Sequence, residues 1–303
     1  FITHRDCQLH DMGSYHPGSP ARLTAINDHL IAQGIDAYFS YFDAPLASFD
    51  QLLRVHPASH LERVKRASPA QGIAHLDPDT AMCPHTWSAA LRSAGAGCMA
   101  VDLVMGHEVQ NAFCAVRPPG HHAERANPMG FCFFNNIAVA AAHALEVHGL
   151  ERVAVIDFDV HHGNGTEDIF KGNDKVLMCS IFQHPFYPYS GADNPAANMV
   201  NVPLPAGSGG EEFRGAIADV WLPRLNEFKP QMIFISAGFD AHYEDDMGSM
   251  KLFEKDYAWA TEQLKVVAAK HAEKRIVSML EGGYVLSALA RSVGAHLRVL
   301  ADL

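Results

Sequence analysis

The chain has 303 residues, 48% hydrophobic and 19% charged, with a formal net charge of −11, the proportions of a globular protein. The acidic balance excludes a basic nucleic-acid-binding face, and no apolar run approaches the length of a membrane span. Six cysteines, Cys7, Cys83, Cys98, Cys114, Cys132 and Cys179, form no Cys-x-x-Cys pair, which excludes a thiolate zinc module or a disulfide framework and points to reduced core thiols in a cytoplasmic protein.

Residues 3–18 are polar and read as a surface loop. Residues 22–33 read as a helix, with Leu23, Ile26 and Leu30 on one face and Gly34 as the stop. A short helix follows His60, and the Ala-rich stretch 86–106 is a longer one. Residues 113–116 form a short strand that runs into Arg117-Pro118-Pro119-Gly120-His121-His122. The prolines and the glycine stop regular structure, so the two histidines emerge on a fixed loop. Residues 135–148 are helical and end at Gly149.

The β-branched run 153–156 reads as a buried strand of a parallel sheet. Asp157, Asp159 and His161 follow at i, i+2 and i+4, a spacing that shares one face in extended chain. Buried carboxylates at a strand end cost several kcal/mol unless a cation answers them, and a metal is the economical cation. Strands at 176–182, 232–236 and 276–280 end at His184, at Asp240 and at Glu281-Gly282-Gly283-Tyr284. Between them lie amphipathic helices, one with Phe213, Ile217, Val220, Trp221, Leu225 and Phe228, another with Phe253, Tyr257, Ala260, Leu264 and Val267 facing the core.

Strands alternating with helices imply an α/β fold, an open parallel sheet flanked by helices on both faces, and the absence of a linker or repeat makes residues 1–303 a single domain. In such sheets ligands bind beyond the carboxyl ends of the strands. Asp159, His161 and Asp240 then make a three-ligand set with an open position, as catalytic zinc requires, and one that also suits ferrous iron or cobalt. His121 and His122 can divide acid and base work on a leaving amine. Tyr284 can donate to a developing oxyanion. Gly130, through its carbonyl, and Phe131 line a narrow mouth, Tyr187 forms the opposite wall, and Gly283 beside Tyr284 completes the substrate-binding residues.

Together these motifs resemble the histone deacetylase family, within the arginase/deacetylase superfamily, closest to its class II-like bacterial amidohydrolases. The matching stretches run in order from His16-Pro17 through 117–123, 130–136, 157–166 and 237–242 to 281–284. The resemblance implies zinc on Asp159, His161 and Asp240, with His122 as general base and acid and His121 as its electrostatic partner. It implies a carbonyl-polarising role for Tyr284 and a place for Asn164 behind His122. It also implies a structural potassium at Asp157 with the backbone of Asp159, His161, Ser180 and Ile181, Asp157 being in addition the partner of His121. Gly18 and Val285 depart from the family pattern. Met247, seven residues after Asp240, stands where polyamine-selective relatives carry glutamate.

The expected activity is zinc-dependent removal of acetyl or a short acyl group from lysine side chains of peptides or proteins, or from a small acylamide. An acetylpolyamine amidohydrolase with the same centre is the nearest rival. An arginase-like dimanganese site needs a second carboxylate two residues after Asp240, where His242 stands. A non-catalytic acyl-lysine binder has no use for an acid/base pair. The expected partners include neither nucleic acid nor membrane, and a homo-oligomer is left open.

Overall fold

The computed structural model describes residues 1–303. The chain opens with β1 (Ile2–Thr3), α1 (Asp6–Leu9), α2 (Ala21–Ala32) and β2 (Phe42–Asp43). Then come α3 (Phe49–Leu53), α4 (Ala58–Ala67), a small hairpin of β3 (Ala74–His75) and β4 (Ala81–Met82), α5 (Thr86–Met105), β5 (Asn111–Cys114) and α6 (Asn136–Glu146). The second half holds β6 (Val153–Asp157), α7 (Asn164–Phe170), β7 (Val176–Gln183), β8 (Met199–Leu204), α8 (Gly210–Ala216), α9 (Leu222–Phe228), β9 (Met232–Ala237), α10 (Glu254–His271), β10 (Ile276–Leu280) and α11 (Leu286–Leu300).

Eight strands form one sheet in the order β2-β1-β5-β10-β9-β6-β7-β8, and every pairing is parallel. All residues of β6, β9 and β10 are buried. Strands covered on both faces are apolar at most positions, which is why they read as near-continuous hydrophobic runs, with Asp157, Ser236 and Ser278 as buried, hydrogen-bonded exceptions. Helices α5 and α6 pack as one pair, and α2, α10 and α11 as another group. A continuous core of 80 buried residues joins these layers to the sheet. The chain leaves β5 and re-enters the sheet at β6, three places away, and β9 and β10 later fill the gap. The loops after β5, β10, β9 and β6 therefore leave neighbouring strand ends, the arrangement in which α/β sheets bind ligands.

Four expectations need correction. Residues 3–18 are a surface loop only in part: α1 occupies Asp6–Leu9, and Arg117 donates to the carbonyls of Cys7, His10 and Gly18, which buries Cys7 and His10, while Gly13, Ser14 and Tyr15 stay exposed. Strand β6 ends at Asp157, whose Oδ1 accepts the Asp159 N–H at 3.1 Å. The chain turns there, so Asp157, Asp159 and His161 do not share one strand face. The helix from Gly210 to Phe228 passes through a π-helical turn at Ile217–Trp221. That wider turn resets the phase, so Trp221 is fully buried while Val220 is exposed. Phe253 is the N-cap of α10 rather than part of its buried stripe and stacks, exposed, on Tyr243. Strand β8 and helix α11 had no counterpart in the sequence reading.

Candidate metal centre and acyl pocket

Two loops supply the ligands of the centre. Past the end of β6, Asp159 and His161 are buried, and three residues past the end of β9 so is Asp240. Their ligand atoms lie within 4.8 Å of one another. His161 Nδ1 is 3.0 Å from Asp159 Oδ1 and 3.3 Å from Asp240 Oδ2. Backbone amides orient both carboxylates: Asp159 accepts from His161 at 2.9 Å and Gly282 at 2.8 Å, and Asp240 Oδ1 from Val160 at 2.9 Å. Asp240 Oδ2 is left buried without a hydrogen-bond partner. Burial and the charge of Asp159 push Asp240 up to about 6. Burial opposes the charge of His161, but Asp159 and Asp240 outweigh it and raise the imidazole to about 10. An oxygen/nitrogen donor set with an orphaned buried carboxylate oxygen fits a divalent cation. Gly282 keeps the space open, since a Cβ there would run into carboxylate oxygens of Asp240 and Asp159.

The tandem histidines stand beside this triad with rings 4.0 Å apart. His121 donates from Nδ1 to Asp157 Oδ2 at 2.9 Å, and its Nε2 is 3.9 Å from Asp159. Burial disfavours its charge, yet Asp157, Asp159 and Glu281 hold it protonated well above the usual range. His122 is driven the opposite way, well below it, by burial and by the positive charges of His121 and His161. Its Nδ1 lies 2.8 Å from Asn164 Oδ1. Asn164 Nδ2 donates in turn to Glu124 Oε1 at 3.0 Å, which fixes the amide orientation and hence the hydrogen on His122 Nδ1. His122 Nε2 is left as the free acceptor.

A cavity of about 340 Å³ is lined by both histidines, His161, Gly130, Phe131, Tyr187, Met247 and Tyr284. Phe131 is held at φ 67, a left-handed conformation that costs about 1–3 kcal/mol for a non-glycine residue. Gly130, also at positive φ, abuts the His122 ring so closely that a Cβ would strike it. Its carbonyl accepts from Cys132 Sγ. Tyr187 packs edge-on to His122 at 5.2 Å. Arg22, buried, lies 5.0 Å over the Tyr284 ring and donates to the carbonyls of Glu281 and Gly283 at 2.6 Å each.

Gly282 rather than Gly283 lines the cavity. Phe186, which stacks on His161 at 5.4 Å, was missed by sequence reasoning, as were Asp79 and Asp246 on the cavity wall. The only signal for Phe186 was its place just after the end of β7, beside Tyr187. Asp157 sits in register with Ser180 across β6 and β7, so the residues expected around potassium are neighbours. All six cysteines are free and buried, and no helix is long and apolar enough to cross a membrane.

A second group of possible ligands does not qualify. His143 Nε2 and His148 Nε2 lie 2.8 and 2.7 Å from one oxygen of Asp102. Arg54 Nη1 is 3.1 Å from His143 Nδ1. A guanidinium only donates, so Nδ1 accepts and the hydrogen of His143 sits on Nε2, pointing at Asp102. No lone pair of His143 is left for a cation, and the group is a hydrogen-bonded clamp between α5 and α6.

Fold and site define a hydrolase whose chemistry sits at the carboxyl edge of a parallel α/β sheet. Residues 16–300 match the histone deacetylase domain, and the chain belongs to the histone deacetylase family. It is 41% identical to a histone deacetylase-like amidohydrolase of Pseudomonas aeruginosa over 89% of this chain and 72% of that one. It is 37% identical to the human polyamine deacetylase HDAC10, over 90% of this chain and 43% of that protein. The crystal structure of the HDA15 HD domain superposes with a TM-score of 0.93 at 32% identity, covering 100% of this chain and 91% of that one. The protein is a deacetylase, a hydrolase of amide bonds.

Proposed function

We propose that the protein is a zinc deacetylase acting on acetylated or short-acylated lysine side chains of peptides or proteins. One observation carries this reading: His161 of the Asp159–His161–Asp240 triad, an unprotonated His122 and Tyr284 line a single cavity. Held by the triad, zinc would supply Lewis acidity, polarising a carbonyl oxygen and acidifying water. His122 Nε2 takes the proton of the attacking water and returns it to the departing amine. His121, kept charged by Asp157, stabilises negative charge beside it. The Tyr284 hydroxyl donates to the carbonyl oxygen as charge develops there. Phe131, Phe186 and Tyr187 wall the acyl-lysine stem from water. Asp157, with the backbone of Asp159, His161, Ser180 and Ile181, would hold a structural potassium at the end of β6. The six reduced cysteines favour a cytoplasmic site of action.

A second reading, deacetylation of acetylpolyamines, draws support from Asp79 and Asp246 on the cavity wall, which would attract a cationic amine. Met247 in place of an acid seven residues after Asp240 favours the lysine reading. Turnover of an acetyl-lysine peptide against N-acetylputrescine, on metal-quantified protein, separates the two. His122→Ala and Tyr284→Phe each lose at least ~10²-fold in kcat; wild-type turnover in either variant overturns the assignment.

A further inference from the structure

Glu281 is a carboxylate whose only part so far is a share, behind Asp157 and Asp159, in keeping His121 charged. It is only 1% exposed, and a buried carboxylate is unfavourable unless its oxygens are answered. Oε2 accepts the main-chain N–H of Gly120 at 2.7 Å and of His121 at 3.2 Å, and Oε1 accepts from Ser236 Oγ at 3.1 Å. Its own backbone is pinned, with its N–H donating to Ala237 at 3.0 Å and its carbonyl accepting from Arg22. The side chain thus bridges the ends of β9 and β10 to the loop after β5. That loop has no strand or helix partner for the amides of Gly120 and His121. The loop is also held by Asn136, which donates to the Pro118 carbonyl at 3.1 Å, and by the N–H groups of Gly165 and Thr166, which donate to the His121 carbonyl at 3.0 and 3.2 Å; none of these reaches the amides of Gly120 and His121.

We propose that Glu281 is the positioning residue of the two-histidine loop, acting through where its oxygen sits and not through its charge. One oxygen satisfies two consecutive buried amides. Without it both amides are orphaned in a buried site, which disfavours the present loop conformation. The loop then relaxes, and His121 and His122 shift against the triad. Displacement of proton-transferring groups by about 1 Å can cost ~10²-fold in rate. The inference rests on the reading of His122 given above.

Two variants separate geometry from charge. Glu281→Gln removes the charge but can keep an oxygen on the two amides while its NH₂ meets Ser236. Glu281→Asp keeps the charge but withdraws the oxygen by one methylene. Steady-state kinetics on an acetyl-lysine peptide, with zinc content measured for each protein, is the test. The expected result is Glu281→Gln within about 5-fold of wild type in kcat and Glu281→Asp lower by ~10-fold or more, with KM little changed in both. Wild-type kcat in Glu281→Asp, or a kcat for Glu281→Gln at or below that of Glu281→Asp, overturns the proposal. His122→Ala in the same assay keeps the two readings apart. An active His122→Ala removes the parent reading, whereas an inactive one with the Gln/Asp order reversed removes only the role of Glu281.

Discussion

His122 and His121 are neighbours in sequence, yet their surroundings drive their protons in opposite directions. His121 meets Asp157 and is held charged; His122 meets the neutral Asn164 and stays unprotonated. The Asn164 carbonyl keeps the hydrogen on Nδ1 and so frees Nε2 for proton transfer. Asn164→Ala removes that bias, and kcat on an acetyl-lysine peptide is expected to fall ~10-fold with KM nearly unchanged. A kcat equal to wild type would show that the tautomer needs no help from Asn164. The adjacency of the two histidines was legible in the chain, as was their loop. Their division into a charged and a neutral ring was not, because it depends on side chains from Asp157 and Asn164 that only the fold delivers.

At the scale of elements, the strand ends carry the chemistry and the helices carry the stability. Gly282 follows the end of β10, its N–H bonded to Asp159 and its missing side chain giving room to Asp240. Gly282→Ala forces the two carboxylates to move, so zinc bound per chain by elemental analysis and turnover are expected to fall together. Full zinc occupancy in this variant would contradict the cradle. On α11, His296 is fully buried between Thr261 of α10 and Ser278 of β10. Thr261 Oγ1 donates to the Tyr257 carbonyl, so it accepts from His296 Nδ1, and Nε2 accepts from Ser278. Burial lowers this imidazole to about 3. Below about 6.5 the unfolded chain takes up a proton that the folded one refuses, so stability is full above pH 6.5 and falls as pH drops toward 3. The slope well inside that window is about 1.4 kcal/mol per pH unit from this residue. Urea midpoints between pH 7 and 4 are expected to fall less steeply in His296→Gln, and parallel curves would refute the assignment. Long apolar strands such as β9 and β10 were legible from their β-branched runs. Helix α11 was passed over, and β1 is a two-residue strand, too short for any periodicity to reveal.

For the whole molecule, the central question is what the metal does for the fold. Asp159, His161 and Asp240 come from loops after β6 and β9, so a cation joining them ties adjacent strand ends together. At free zinc 100 times its Kd the stabilisation is about 2.7 kcal/mol, an upward shift in Tm of about 5 °C. Chelation is expected to abolish activity and lower Tm, and zinc to restore both. Activity that survives exhaustive chelation would exclude a metal-dependent reaction.

The chain by itself determined the parallel α/β class and the strand-end motifs that carry Asp159, His161 and Asp240, because these follow from local periodicity and from the chemistry of the residues that close each strand. Tertiary structure alone decided that Phe186 joins Phe131 at the cavity, that Arg22 braces Tyr284, and that Glu281 holds the histidine loop. Those contacts join residues from about 55 to about 260 positions apart. No one-dimensional pattern encodes such a meeting; it exists only after the strands have taken their places in the sheet.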